Sequence, residues 1–463
     1  MRPFLAVPLL SVLACSLDAR DLTAFQDTAS GPDKLRAILR SSDRSPSLRA
    51  QAALSLFDLP RKDVDGRALL FAELTTLDAR GRQVIVPTFQ AGLLQRMRTE
   101  RGKAPGEDAV EAKDAGVKLL GMLGQRERAE LGGALLRWIA DDVPRRAQSG
   151  HYSLEAVARQ VGPDSARTLV TSLSSLHDPR SLSRIAAIID AQAEPDVRTN
   201  AAQRLVDLER SYRLRTEGEN PAELFEYILP ALGRFADQRV VRSRLIALAG
   251  TPGVALTEQK RVLELLQGHT TPAELPELLA LAQSEQAAPE LRVLALSRVG
   301  ETHSREALPT LLTLLTDRNH AALRRRAGEL SLEIGGPEVL SSFFRNLPTG
   351  WGMTFDRHEI DAYAERIATL QADNALLLLL GEKLHSTFWW NRVLALRFFA
   401  SRGTAEDVWR IRQHLYDSQP ILGAGWPRGY TVGQEAESAL NLALERLHSG
   451  VARAPLPQPA TNE

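Results

Sequence analysis

From Asp21 onward, apolar residues recur three and four positions apart, in stretches separated by short polar breaks. That spacing places them on one side of an α-helix. Leu, Ala, Arg and Glu, all helix formers, dominate these stretches. The stretches also repeat. Leu275-Pro276-Glu277-Leu278-Leu279-Ala280-Leu281 matches Leu308-Pro309-Thr310-Leu311-Leu312-Thr313-Leu314 at an offset of 33 residues. Each copy then crosses a polar break into a second helix. That helix starts Pro289-Glu290-Leu291-Arg292-Val293-Leu294-Ala295 in one copy and Ala322-Leu323-Arg324-Arg325-Arg326-Ala327 in the next. The same start recurs at Pro46-Ser47-Leu48-Arg49-Ala50 and Pro195-Asp196-Val197-Arg198, and more loosely at Val241-Arg242 and Asn391-Arg392. Pro suits a first helical turn, where its missing N–H would be unbonded anyway. The small Ala lets a partner helix approach, and the Arg lies on the opposite side of that turn. A period of roughly 30–45 residues is that of a helical solenoid, whose units pack mainly on their neighbours.

The pattern predicts helix pairs at 32–42/47–58, 65–79/83–98, 107–123/127–141, 180–191/196–211, 222–234/238–249, 273–284/290–299, 305–316/321–334, 337–346/358–370, 373–385/390–401 and 404–417/432–448. It leaves 152–176 ambiguous and 257–267 as a lone or irregular helix. An acidic residue stands shortly before several of the second-helix arginines: Asp43 before Arg49, Asp237 before Arg242, Asp317 before Arg324. This arrangement resembles the HEAT-repeat family, including the HEAT-like repeats of the bilin-lyase type. The resemblance covers most of 21–450, is specific in 178–208 and 272–340, and is weak in 61–162, where Asp–Arg starts are missing and the repeat register stays open. It implies an all-α fold, an α-solenoid (superhelix) of HEAT-like helical hairpins. It also implies an Asp–Arg ladder through the stack and an inner face of second helices that holds partners.

The first twenty residues read differently. Met1-Arg2-Pro3 precedes an apolar run, Phe4 to Ala14, interrupted only by Ser11, and the single cysteine, Cys15, follows. A basic start and a short apolar core describe a secretory signal. Val12-Leu13-Ala14-Cys15 resembles the lipobox of bacterial lipoproteins, which implies cleavage before Cys15, a lipid on its thiol and, with no Asp after it, the outer membrane. The expected location is the periplasmic face of that membrane; a cleaved signal on a soluble periplasmic or secreted protein, or a buried or frayed N-terminal helix, are the alternatives. The run is shorter than the about 20 residues a membrane span requires. Residues 451–463, with Ala-Pro-Leu-Pro-Gln-Pro, are expected to form a disordered tail.

Charge narrows the function. Lys+Arg and Asp+Glu are 57 each, so net charge is zero, unlike a nucleic-acid protein. Arg324-Arg325-Arg326, the densest basic run, has acidic neighbours and reads as a solvated helix face rather than the groove of a HEAT-like DNA glycosylase. One Cys and no His-Glu-x-x-His exclude the common zinc spacings. A lone His358-Glu359 cannot supply the several dyads of the HEAT-type hydroxylases. No cofactor is therefore expected. An envelope enzyme using Asp356, His358 and Glu359 is kept as an alternative.

The most informative feature is the crowding of Trp351, Trp389, Trp390, Trp409 and Trp426 near the C-terminus. Trp409 sits mid-helix and reads as core. Trp351 and Trp426 lie in long Gly/Pro stretches, 347–355 and 421–430, between the helices of their pairs, and Trp389-Trp390 lies in the pair between. Loops within repeats of a solenoid emerge on one edge, so these indoles are expected along one rim, with one of Trp389 and Trp390 packing inward. Insertions on one face often bind. The candidate partner site is therefore Trp351, Phe355, Trp389, Trp390, Trp426, Arg428 and Tyr430; the competing reading is a cap over the stack's end. The expected partner is an envelope protein or a cell-wall glycan, with no nucleic acid and no membrane contact beyond the N-terminal lipid.

Overall fold

The computed structural model describes residues 19–59, 63–97, 107–146, 154–173, 179–215, 221–350 and 353–449. Cys15 and its lipobox, Trp351, and the tail 451–463 lie outside the described residues. The chain forms two compact units, Met1–Phe235 and Ala236–Glu463. Among the described residues both are all-α, and the one β feature is an isolated antiparallel bridge, Pro420 to Thr431. Each is a run of HEAT-like helical hairpins.

The first unit contains α1 (Ala19–Gln26), α2 (Gly31–Arg40), α3 (Pro46–Phe57), α4 (Gly66–Thr76), α5 (Ala79–Arg96), α6 (Glu107–Leu120), α7 (Gln125–Arg146), α8 (Leu154–Val161), α9 (Asp164–Leu173), α10 (Leu182–Gln192), α11 (Pro195–Arg215), α12 (Pro221–Glu223) and α13 (Leu229–Gly233). The ambiguous stretch 152–176 is thus a short helix pair. α1, absent from the expected elements, buries Leu22 against α2 and α3. A π-helical turn, Leu224–Ile228, precedes Pro230. Its ring would otherwise crowd the carbonyl four residues back, and the wider turn relieves that clash.

The second unit contains α14 (Arg239–Ala249), α15 (Leu256–Leu265), α16 (Leu275–Gln283), α17 (Pro289–Glu301), α18 (Leu308–Leu314), α19 (Ala321–Gly335), α20 (Leu340–Asn346), α21 (Arg357–Thr369), α22 (Asn374–Leu384), α23 (Trp389–Arg402), α24 (Val408–Arg412) and α25 (Val432–His448). From α15 onward, alternate helices stack in sequence: α15 on α17, then α19, α21, α23 and α25. The intervening helices are short, and most follow a single 3₁₀ turn. The helix expected to stand alone, α15, instead packs on both α14 and α17. Its apolar Val262 and Leu263 are fully buried, which a lone helix could not achieve.

The second-helix arginines do not face water. Arg49, Arg242, Arg292 and Arg324 are all buried. Each turns back to the carbonyls that end the preceding helix or follow it. Arg49 Nε donates to Leu39 O at 2.9 Å, Arg292 Nε to Ala282 O at 2.8 Å and Arg324 Nη1 to Asp317 O at 2.8 Å. Leu39 O and Ala282 O lie in last helical turns, where carbonyls have no intrahelical partner, and Asp317 O lies just past α18; in each case a buried cation satisfies the carbonyl. This corrects the reading of Arg324 as part of a solvated face; Arg325 and Arg326 remain partly exposed.

In the second unit the same arginines reach forward to the next repeat. Arg242 Nε lies 2.9 Å from Glu274, Arg292 Nη2 lies 3.9 Å from Asp317, and Arg392 Nε lies 3.0 Å from Asp417. Arg324 makes the tightest joint. Its Nε and Nη2 each donate to Glu359 at 2.6 Å in a bidentate pair.

Candidate functional site

The connections 347–356 and 413–431 meet on one edge of the second unit. The backbone N–H of Phe355 donates to Leu422 O at 3.2 Å, and that of Arg357 to Ala424 O at 2.9 Å. Trp426 Nε1 donates to Phe355 O at 3.1 Å. The later connection is also tied to itself: Ile421 N–H donates to Tyr430 O at 2.9 Å and Val432 N–H to Gln419 O at 3.0 Å. Gly423 permits the crossing, because a Cβ there would lie 1.9 Å from Phe355 O.

Beneath the crossing lies an aromatic cluster. Phe355 is fully buried, 4.9 Å between centroids from Trp390 and 6.2 Å from Trp389. Trp389 meets Trp426 edge-on at 6.0 Å, and Trp426 stacks on Tyr430 at 5.9 Å. Trp389 and Trp390 are each 3% exposed. The two connectors share an edge, and where one of Trp389 and Trp390 is expected to pack inward, both do: Phe355, Trp389 and Trp390 are the floor that holds the loops. Trp389 and Trp390 open α23 and turn into the core beneath the crossing, where Trp426 packs edge-on against Trp389.

The outer layer holds Trp426 and Tyr430, both half-buried, with Leu422, Arg428 and Arg357 exposed. Two guanidinium groups flank the Trp426 ring, Arg357 at 5.7 Å and Arg397 at 5.4 Å. Arg397 also pairs with Asp361 and, at 2.6 Å, with Glu435. Burial weighs against the Arg397 charge, but its two carboxylates outweigh that and raise its pKa. Burial raises the Tyr430 hydroxyl's pKa.

Asp356, His358 and Glu359 do not converge. Asp356 caps α21, accepting from Glu359 N–H at 2.7 Å, and His358 is exposed. Glu359 is fully buried, where it accepts both Arg324 bonds and lies 2.9 Å from the Tyr363 hydroxyl. Burial pushes the Glu359 carboxyl up, and the Arg324 guanidinium works against that push. A carboxylate held by a bidentate cation in the core has no face toward a substrate. Among the described residues, no group of three or more His, Cys, Asp and Glu could hold a metal ion, and no helix is long and apolar enough to cross a membrane.

Trp409, expected in the core, is 54% exposed. α24 is a single short turn that spends its inward positions on Val408 and Ile411, leaving the indole outside. Leu422 and Arg357 were not among the expected site residues. No local signal marks them, because their placement depends on two segments far apart in sequence crossing.

No protein-family model matches this chain, and no curated protein matches its sequence. Among solved structures it is similar to Kap121p bound to Pho4p, at 13% identity and TM-score 0.35, over 94% of this chain and 50% of that one. It is similar to Kap121p bound to Nup53p at 13% identity and TM-score 0.36, over 93% and 48%. An engineered protein is similar at 16% identity and TM-score 0.23, over 89% and 98%. The chain thus spans about half the length of the Kap121p chains it matches.

Proposed function

We propose that the protein is a non-catalytic binding scaffold of the bacterial envelope that holds a protein partner on the crossed-loop edge of its second unit and the adjoining stacked helices. In this reading the N-terminal segment exports the chain and Cys15 carries a lipid that tethers it to the periplasmic face of the outer membrane. A cell-wall glycan stacked on Trp426 is the competing ligand.

One observation carries the reading. Residues 413–431 connect α24 to α25, where residues 284–288 suffice between α16 and α17. Ordering so long a connection costs conformational entropy. Bonds between the two loops and the buried rings offset that cost and hold the outer layer fixed. A preorganised surface of half-buried aromatic and exposed aliphatic and cationic side chains suits a partner.

The test is affinity purification from solubilised membranes with the wild-type chain and a Leu422→Asp/Arg428→Glu variant. Both residues are exposed, so the variant should keep its melting temperature. Partners recovered by the wild type and missing from the variant support the reading. The same recovery from both, or none from either, overturns it. Intact mass of the membrane-bound protein without an acyl addition would remove the anchor.

A further inference from the structure

The crossed-loop edge also carries a charge asymmetry that bears on what docks there. The carboxylates touching it are already engaged. Asp361 and Glu435 are bound by Arg397, Asp417 by Arg392, and Asp356 by the first turn of α21. The cations are not engaged to the same degree. Arg357 is exposed, places its guanidinium carbon 5.7 Å from the Trp426 ring centroid, and approaches Asp361 no closer than 3.9 Å. Arg428 is exposed, two residues beyond Trp426. Between them the same short segment presents Leu422, 47% exposed, and Trp426.

We infer that this edge binds an acidic segment of a protein partner, one carrying an aliphatic or aromatic anchor among Asp and Glu residues. The anchor packs on Leu422 and the Trp426 edge. The flanking carboxylates take the open donors of Arg357 and Arg428. Arginine suits this role because its planar fork binds a carboxylate through two donors while its face stays stacked on an indole. Charge complementarity selects the segment's sign, and it does so without adding charge to a chain whose total is zero.

The inference rests on the scaffold reading above, and its test separates the two. The intact protein is applied to an array of immobilised 12-residue peptides that vary from acidic through neutral to basic around a single Phe or Leu. Acidic peptides with the anchor should retain the wild type, with a signal that falls as salt rises. An Arg357→Glu/Arg428→Glu variant should lose about 10-fold or more of that signal, since each reversal turns an attraction into a repulsion. A control variant at the exposed Leu442 on α25 should retain it. Preference for basic or neutral peptides, an equal signal from the charge-reversed variant, or no retention of acidic peptides overturns the inference. If the membrane partners still depend on Leu422 while any of those results holds, the scaffold reading stands and the acidic-partner inference alone falls. Retention of wild type and variant alike by cell-wall glycan, with no peptide bound, overturns both.

Discussion

Arg49 and Arg324 hold the same place in their repeats, yet their surroundings differ. Both are buried, and both satisfy a backbone carbonyl at or just past the end of the preceding helix. In the second unit, Arg324 goes on to grip Glu359 of the next repeat. In the first unit, the acidic residue preceding Arg49, Asp43, is exposed. There the joint to the next repeat is made from the other helix. Glu73 of α4 receives Arg36 and Arg40 of α2, with Arg36 Nε at 2.7 Å. Two repeats with one sequence start therefore use it differently. The arginine's link to its own repeat is shared, while the link between repeats falls to whichever carboxylate the next helix happens to bury.

The sharpest way to break the comparison is to remove the tightest joint. Arg324→Ala removes the cation from Glu359 in the core and leaves that carboxyl only the Tyr363 hydroxyl. It should cost the second unit about 3–5 kcal/mol, the scale for uncoupling one member of a buried ion pair. Hydrogen exchange of peptides from α19 and α21 should reveal the loss, with peptides from α2 and α4 unchanged. Replacing both partners together by apolar residues of similar volume should restore most of it. A cost of under about 1 kcal/mol for Arg324→Ala would mean the pair contributes no more than a surface bridge does.

The hairpins themselves were readable because periodicity and first-turn prolines are local signals, and the second-helix starts at Pro46, Pro195 and Pro289 all begin helices. Which helices pair was less so: α15 has the same periodicity whether it stands alone or packs on α14. Arg324 reads as solvated in the sequence because a charged residue in a run of three arginines shows nothing of its buried carbonyl and carboxylate partners. The candidate site divided in the same way. That the long connectors share an edge followed from the repeat. Which rings face inward depended on Trp426 reaching Phe355 O, 71 residues away, which no window along the chain contains. Trp390 and Trp409 both lie in the first two residues of a helix, yet one is buried and the other exposed.

Asp317 sharpens the comparison at an intermediate size. Its carboxylate accepts the backbone N–H of Asn319 at 2.7 Å and of His320 at 2.9 Å, and it faces both His320 Nδ1 and Arg292. Asp317→Asn keeps the shape and loses the charge. It should cost about 1.5–3 kcal/mol, in the range of hydrogen bonds to a charged group. Chemical denaturation followed by exchange in α17–α19 checks it.

Acid provides a graded version. Burial favours the neutral Asp317 carboxyl, but its bonds from His320 and the backbone prevail and hold its pKa below the ordinary 3.8. In the first unit, the Arg40 bond above all holds Glu73 below the ordinary 4.5. A carboxyl lowered in the folded state adds stability that is complete above its unfolded pKa and is lost as pH falls through the folded one. In the second unit burial opposes the Glu274 charge, but bonds from Thr271 and Arg242 prevail and hold that carboxyl below 4.5 as well, so both units should weaken as pH falls below about 4.5, with the Asp317 share of the second unit's loss coming later, below 3.8. Asp317→Asn should flatten the slope in the second unit, and Glu73→Gln in the first. If either change flattened both slopes, the joints would not be local to their units.

The smallest effect is also the most selective. If an Asp before the second-helix Arg always mattered, Asp43 and Asp317 would be equivalent. The structure separates them. Asp317 is enclosed by donors, while Asp43 is exposed and Arg49 finds its partner in Leu39 O. Asp43→Asn should thus shift stability by no more than about 0.5 kcal/mol, the range of ordinary surface changes. Arg49→Ala in the same repeat should cost several times that, because it strands a buried carbonyl. A double-mutant cycle between Asp43 and Arg49 should show no coupling. Coupling of about 1 kcal/mol or more would mean that the acidic residue and the arginine act as a pair in both units, and that sequence spacing alone decides where a repeat is joined to the next.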